Sequence, residues 1–254
     1  MSETDGIGAA EHGRHVQNII RALLAVFILG LLTLAGLMVV TPTVASAPDL
    51  ARRAVQSHGH DDPGAMPPPR FIKALVATED QRFFQPLNRG LDPVAVLRVG
   101  YERLAGRQGD LGGSTISQQL AKMLYGSPHR GLFEKLKEIA LALKLSFAFG
   151  KPRILAMYAQ VAYYGDGYYG LANASCGYFG KPPAALSWRQ AALLAGVVNA
   201  PSVDDPRRHP DHADRRTRHV FDRLVDVGVL SRAQANAEEA APLGLVPRGT
   251  GCAP

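Results

Sequence analysis

From Ala22 to Pro48 no charged residue interrupts the chain, and the stretch Ala22 to Val40 reads ALLAVFILGLLTLAGLMVV. Nineteen residues rising about 1.5 Å each reach about 28 Å, close to the hydrocarbon thickness of a bilayer. A helix satisfies its own backbone polar groups, so such a segment is stable in lipid. The competing reading is a cleaved signal peptide, because Ala45-Ser46-Ala47 resembles a small-residue cleavage site. Pro48 would follow that cut, and the apolar run is long for a signal sequence, so the pattern favours a retained transmembrane helix at 22–40 behind a cytoplasmic tail at 1–21. Arg14 and Arg21 precede the span and Arg52 and Arg53 follow at a distance, which places the N-terminus inside.

Beyond the span the pattern changes. Residues 41–68, rich in Pro, Ala, His and Asp, read as a connector with about one helical turn. Helices are predicted over 70–83 and 92–105, separated by the turn-rich FFQPLNRGLDP. GRQGDLGG at 106–113 is too rich in glycine for a helix interior, and a helix follows over 114–124. Leu132, Phe133, Leu136, Ile139, Ala140 and Leu143 repeat at helical spacing. A further helix starts near Pro152. Ser187-Trp188-Arg189-Gln190 is a capping-box pattern opening a buried helix, and Ser231 and Gln234 repeat that signature before the last one. No alternating strand of useful length and no internal repeat occurs. The pattern predicts a mainly α domain over 69–241 and a C-terminal tail at 242–254.

The chain has 254 residues and a net charge of +6. Residues 1–40 carry a net −1, so the remainder carries +7. A basic domain outside the cytoplasm suits anionic lipid headgroups or a phosphorylated substrate, and its location argues against nucleic acid. Cys176 and Cys252 make neither a disulfide framework nor a C-x-x-C metal spacing. The plain expectation is a buried, unpaired Cys176.

Four segments carry candidate chemistry. In Val76-Ala77-Thr78-Glu79-Asp80-Gln81-Arg82-Phe83-Phe84 two carboxylates adjoin paired aromatics at a predicted helix end. Burial of that kind raises a carboxyl pKa and suits proton transfer. In GGSTISQQLAK, from Gly112 to Lys122, glycines permit close backbone approach and Ser114 or Thr115 caps a helix whose N-terminal amides attract anions. Gln118, Gln119 and Lys122 add groups suited to a sugar and a phosphate. Arg130, Lys135 and Glu138 bracket another helix start, where cations would stabilise a leaving pyrophosphate. The aromatic and glycine run from Tyr163 to Gly170, with Tyr178-Phe179-Gly180-Lys181, reads either as a sugar-facing wall or as a packed turn.

Together and in this order, ATEDQRFF, GGSTISQQLAK, KLKE and GYFGKPPAALSWRQAALLAG resemble glycosyltransferase family 51 from about Pro69 to Ser202. That family holds the monofunctional peptidoglycan transglycosylases and the polymerising module of class A penicillin-binding proteins. The resemblance implies a lysozyme-like, two-lobed helical fold with a membrane-proximal jaw, acting on lipid II and a growing lipid-linked strand. It implies Glu79 as general base and Glu138 as the second glutamate, supporting the donor. Lys122 and Arg130 would bind the departing undecaprenyl pyrophosphate, and Asp80, Phe83, Ser114, Thr115, Gln118 and Lys135 match motif positions at the cleft. It suggests magnesium or manganese bridging the pyrophosphate, with no all-protein metal site. It implies a single-pass protein of the bacterial cytoplasmic membrane, its catalytic domain on the outer side and other cell-wall synthesis proteins as partners.

The chain departs from the family pattern in several places. Gln85-Pro86-Leu87-Asn88-Arg89-Gly90 stands where a His normally follows the Phe pair, with a short insertion. Glu134 replaces an Arg, Ala156 a Glu, Gln160 an Asn and Gln190 a Glu. No Ser-x-x-Lys, SDN or KTG motif appears, and the stretch after residue 202 is too short for a transpeptidase domain. Two other readings stay open: a non-catalytic scaffold that binds lipid II or wall-synthesis proteins, and a lytic enzyme using one glutamate on a lysozyme-like fold.

Overall fold

The computed structural model describes residues 4–59, 62, 64–106, 113–126 and 131–252. It forms two compact units, Met1–Pro42 and Thr43–Pro254. The first is one helix, α1 (Thr4–Val40). Its stretch Ile20–Val40, of mean hydropathy 2.8, is the only helix among the described residues long and apolar enough to cross a membrane. Val26, Phe27, Leu29 and Leu32 stand exposed along it, as apolar side chains do when lipid is their solvent.

The second unit is helical throughout. Its elements are α2 (Ala47–Gln56), α3 (Pro69–Glu79), α4 (Pro93–Leu104), α5 (Ile116–Tyr125), α6 (Leu132–Ala148), α7 (Lys151–Val161), α8 (Leu171–Phe179), a 3-10 turn (Pro183–Ala185), α9 (Trp188–Val197), α10 (Pro210–Asp226) and α11 (Arg232–Ala240). No strand forms among the described residues, and Tyr163 and Tyr169 make one isolated antiparallel bridge. The mainly α class follows from the sequence pattern as expected.

Two packed groups make the core. In one, α3 lies against α9 and α10; in the other, α5 lies between α6 and α7. Every residue of α9 from Gln190 to Val197 is buried, which is why its pattern is apolar all round rather than striped. The segment expected as a connector contributes more than one turn. Pro48 in the first turn and Asp49 beside it favour helix initiation, and Ala47 and Ala51 of α2 are buried in the same core.

The two cysteines correct the expectation of an unpaired Cys176: Cys176 and Cys252 form a disulfide. It fastens the tail to α8. Val246 N donates to Tyr178 O at 2.8 Å, and Arg207 Nη2 donates to Gly177 O and Val246 O, each at 2.8 Å. Gln190 joins the same strap. Its Oε1 accepts from Ser187 N to close the capping box, and its Nε2 donates to Leu243 O at 2.9 Å. The amide in place of the usual carboxylate supplies that donor.

The aromatic run left open between a wall and a turn is a packed turn. Tyr164 and Tyr178 are fully buried, and Tyr178 Oη donates to Tyr164 O at 3.0 Å. Asp166, in the left-handed region at φ 50, pairs with Arg207 at 3.0 Å and with Arg248.

Candidate active site

The site forms where α3 ends and α5 begins. α3 stops at Glu79 because Asp80 leaves helical geometry (φ −155, ψ 70) and turns its carboxylate to the next helix. One oxygen accepts from Ile116 N, an amide in the first turn of α5, at 3.1 Å; the other accepts from Asn88 Nδ2 at 2.6 Å. Anion and helix N-terminus attract each other, so Asp80 staples the two helix ends together. Burial pushes its carboxyl up to about 6, against the lowering by the Ile116 amide and by Asn88. Asn88, in the stretch where the family has a His, therefore supplies a hydrogen-bond donor to Asp80.

The rest of the GGSTISQQLAK segment divides between scaffold and cleft. Thr115 caps α5 by accepting from Gln118 N at 3.2 Å. Its hydroxyl and Gln118 Nε2 both donate to Gly90 O, at 2.9 and 3.1 Å. Gly90 has φ +95, and a Cβ there would lie 2.5 Å from Ala142 O of α6, so only glycine lets that loop pack so closely. Thr115 and Gln118 are buried and fix the loop behind the cleft. Phe83 is also fully buried, edge-on to Phe84, with Lys151 Nζ 4.3 Å from its ring centre.

Glu79 and Ser114 face the opening side. Glu79 Oε2 accepts from Gln119 Nε2 at 2.9 Å, and Oε1 accepts from Arg216 Nη2 at 2.8 Å. Lys135 Nζ donates to Ser114 Oγ at 2.9 Å and pairs with Glu138. Lys122, one turn beyond Gln119 on α5, is exposed. Arg130 and Gly112 lie outside the described residues. Glu134 pairs with Lys137 at 3.1 Å on α6. Ala156 is buried within α7, and Gln160 Nε2 donates to Asp62 O at 2.6 Å, tying α7 to the segment before α3.

A cavity of about 430 Å³ opens in front of Glu79. Besides Glu79, Ser114 and Gln119 it is lined by Arg98, Asn199, Arg216, His219 and Arg223. Three of those come from one face of α10, a helix not anticipated from the sequence. The signal for it was present: Ala213, Thr217, Val220, Phe221 and Leu224 are its buried stripe at helical spacing, with the cleft residues between them. Arg216 is held at both ends. Its Nε donates to Gly196 O at 3.1 Å, and a Cβ on Gly196 would come 2.9 Å from Arg216 Cγ, so glycine lets α10 lie close to α9 at this point. Burial, with the charges of Arg216 and Arg223, pushes the His219 imidazole down, so it is neutral at pH 7.

The arrangement therefore has a carboxylate held only by N–H donors at one end of a polar cavity. A second group, Ser114, Lys135 and Glu138, joins the start of α5 to the start of α6. Such an arrangement has the groups to accept a proton at one point and to meet negative charge at another.

The transglycosylase family profile matches residues 56–225. Penicillin-binding protein 1A of Aquifex aeolicus is 40% identical over 167 residues, covering 66% of this chain and 23% of its own length. Penicillin-binding protein 1A of Escherichia coli is 37% identical over 167 residues, covering 66% and 19%. A Cupriavidus necator protein provisionally named a transglycosylase is 34% identical over 178 residues, covering 70% of this chain and 76% of its own. The chain spans about a fifth of the length of the two penicillin-binding proteins. With the family profile matching well over half of its residues, and a relative 34% identical of which it covers 76%, the chain belongs to the transglycosylase family, glycosyltransferase family 51.

Proposed function

We propose that this chain polymerises lipid II into peptidoglycan strands, with inversion at the anomeric carbon and release of undecaprenyl pyrophosphate. The observation that carries the reading is Glu79, oriented by Gln119 and Arg216 at the head of the polar cavity. In the reaction Glu79 takes the proton of the acceptor sugar hydroxyl. That oxygen bonds to the donor's anomeric carbon as the bond from that carbon to the phosphate oxygen breaks, and the electron pair leaves with the pyrophosphate. Lys122, Arg130 and Lys135 meet the departing charge, with Glu138 orienting Lys135 and Ser114 receiving its hydrogen bond. Asp80, Phe83, Thr115 and Gln118 hold the cleft walls in register. A water-poor cavity strengthens each of these contacts and limits hydrolysis.

Two features support a membrane setting. The helix α1 is long enough to span a bilayer, and α4 leaves Val94, Leu97, Tyr101 and Leu104 exposed, an apolar face suited to lipid. An anchor keeps enzyme and polyprenyl substrate in one plane and raises their effective concentration. In this reading the N-terminus is cytoplasmic and the helical domain lies outside the membrane. No group of three His, Cys, Asp or Glu side chains gathers among the described residues. In this reading magnesium or manganese accompanies the substrate's pyrophosphate.

The test is polymerisation of lipid II by the full-length protein in detergent, with Glu79→Gln alongside. The reading expects glycan strands from the wild type and none from the variant. Lipid II bound tightly without turnover by either would replace it with a binding scaffold. Soluble fragments released from sacculi, without lipid II consumption, would replace it with a lytic enzyme.

A further inference from the structure

The contact behind Gln119 goes beyond the family assignments made above. Tyr158, in α7, donates its hydroxyl to Gln119 Oε1 at 2.8 Å, and Gln119 Nε2 donates to Glu79 Oε2 at 2.9 Å. The ring of Tyr158 is 1% exposed, so the hydroxyl has no bulk water to turn to.

We propose that Tyr158 is a positioning residue for the general base: by fixing which end of the Gln119 amide faces Glu79, it keeps an N–H donor, and never a carbonyl, against the carboxylate.

An amide side chain has two faces of similar shape and opposite polarity, and packing alone barely distinguishes them. The neighbours on either side decide the matter. Glu79 only accepts, and the buried Tyr158 hydroxyl, which can donate or accept, has Gln119 Oε1 as its acceptor; turning the amide over would leave that phenol proton without one, so Gln119 offers Oε1 to Tyr158 and Nε2 to Glu79. Complete burial, with Glu79's charge, raises the Tyr158 phenol well above its ordinary value, so the hydroxyl keeps its proton throughout the working pH range. Arg216, the other partner of Glu79, is only a donor. Glu79 is thus met by donors on both oxygens, the environment that suits an ionised carboxylate ready to accept a proton. Were Gln119 to turn over, its carbonyl would face Glu79 Oε2, acceptor against acceptor, and the carboxylate would swing away or take up a proton. Tyr158 touches neither oxygen of Glu79 in this chain of contacts, so its influence runs through Gln119.

The inference rests on Glu79 acting as base, and the experiment separates the two. Tyr158→Phe, Gln119→Met and the double variant are compared with wild type for strand synthesis across pH. The side-chain amide resonance of Gln119, assigned by its loss in Gln119→Met, is followed in the same detergent. We expect Tyr158→Phe to lower kcat about tenfold, the worth of roughly one hydrogen bond to a charged group, with KM changed less than twofold. The acidic limb of its rate profile should move to higher pH, and its Gln119 amide protons should exchange faster than in wild type. Gln119→Met, which keeps Tyr158, should show a similar loss, and the double variant should be no worse than Gln119→Met alone. A wild-type rate and an unchanged amide signal in Tyr158→Phe would overturn the proposal. So would a loss that adds in full to that of Gln119→Met, because Tyr158 would then act independently of the amide. If wild type makes no strands, the polymerase reading fails, and the amide signal alone still decides whether Tyr158 orients Gln119.

Discussion

Arg216 donates to Glu79 across 137 residues of sequence, at 2.8 Å, and both partners are largely buried, with side chains 21% and 5% exposed. Removing one member of such a pair leaves the other charge without water and without a partner. Arg216→Ala is expected to lower the unfolding free energy by about 3 kcal/mol and to reduce strand synthesis at least a hundredfold. Glu79→Gln should remove synthesis while costing less stability, because the amide oxygen still accepts from Arg216 and only the contact to Gln119 meets donor to donor. Equal thermal midpoints for Arg216→Ala and wild type would contradict the pairing.

Asp80 gives a pH dependence with a definite sign. Its folded carboxyl titrates near 6 against an ordinary 3.8, chiefly through burial, so the folded state holds that proton more tightly than the unfolded chain does. The associated stability is fully present below about pH 4, declines as pH rises to about 6, and is level above that. The whole change is about 3 kcal/mol. Asn88 Oδ1, buried without a partner, could accept from an amide at position 80, so Asp80→Asn is expected to fold. Chemical unfolding of both proteins from pH 4 to 8 checks it: their difference should change over that window and stay constant above it.

The Cys176–Cys252 bond closes a loop of 76 residues. On the chain-entropy account such a closure contributes about 4 kcal/mol by restricting the unfolded chain. Reduction is expected to lower the thermal midpoint by several degrees while strand synthesis at 25 °C persists, because the strap still has its Arg207 and Gln190 contacts. Melting curves with and without reductant, alongside Cys252→Ser, decide this.

Gln190→Glu restores the residue usual in the family and should nevertheless destabilise this chain. The carboxylate keeps the capping contact to Ser187 but faces Leu243 O, acceptor to acceptor, at a site 3% exposed. A loss of about 2 kcal/mol is expected, with faster proteolysis of the tail. A variant as stable as wild type would mean that the strap does not depend on this amide.

Much of this site was legible in the sequence because its parts are local. Helix caps, the glycine at the Gly90 turn and the capping boxes at Ser187 and Ser231 depend on spacings of a few residues, and all formed as such. Glu79, Ser114, Lys135 and Glu138 came from ordered motifs; the structure puts Glu79 and Ser114 on one cavity and joins Lys135 and Glu138 to it through Ser114. What escaped were partners fixed only by tertiary packing. α10 is dominated by charge, and its buried stripe is hidden among arginines, so neither the helix nor Arg216 stood out. Gln119 was visible as a polar residue, but its orientation depends on Tyr158 in a helix whose pattern reads as plain core. The disulfide escaped for the same reason, since two cysteines far apart in sequence carry no spacing signal. Arg130 falls outside the described residues, and its place at the leaving group remains part of the proposal.

The close approach at Gly196 also bears on how the protein matures. Glu79 is synthesised early and Arg216 late, and the guanidinium reaches the carboxylate only when α10 has settled against α9. A nascent chain exposed as far as α9 has its acid but not the cation that holds it. The contact that orients Glu79 is therefore a property of the completed domain, closed by a helix near the C-terminal end of the chain.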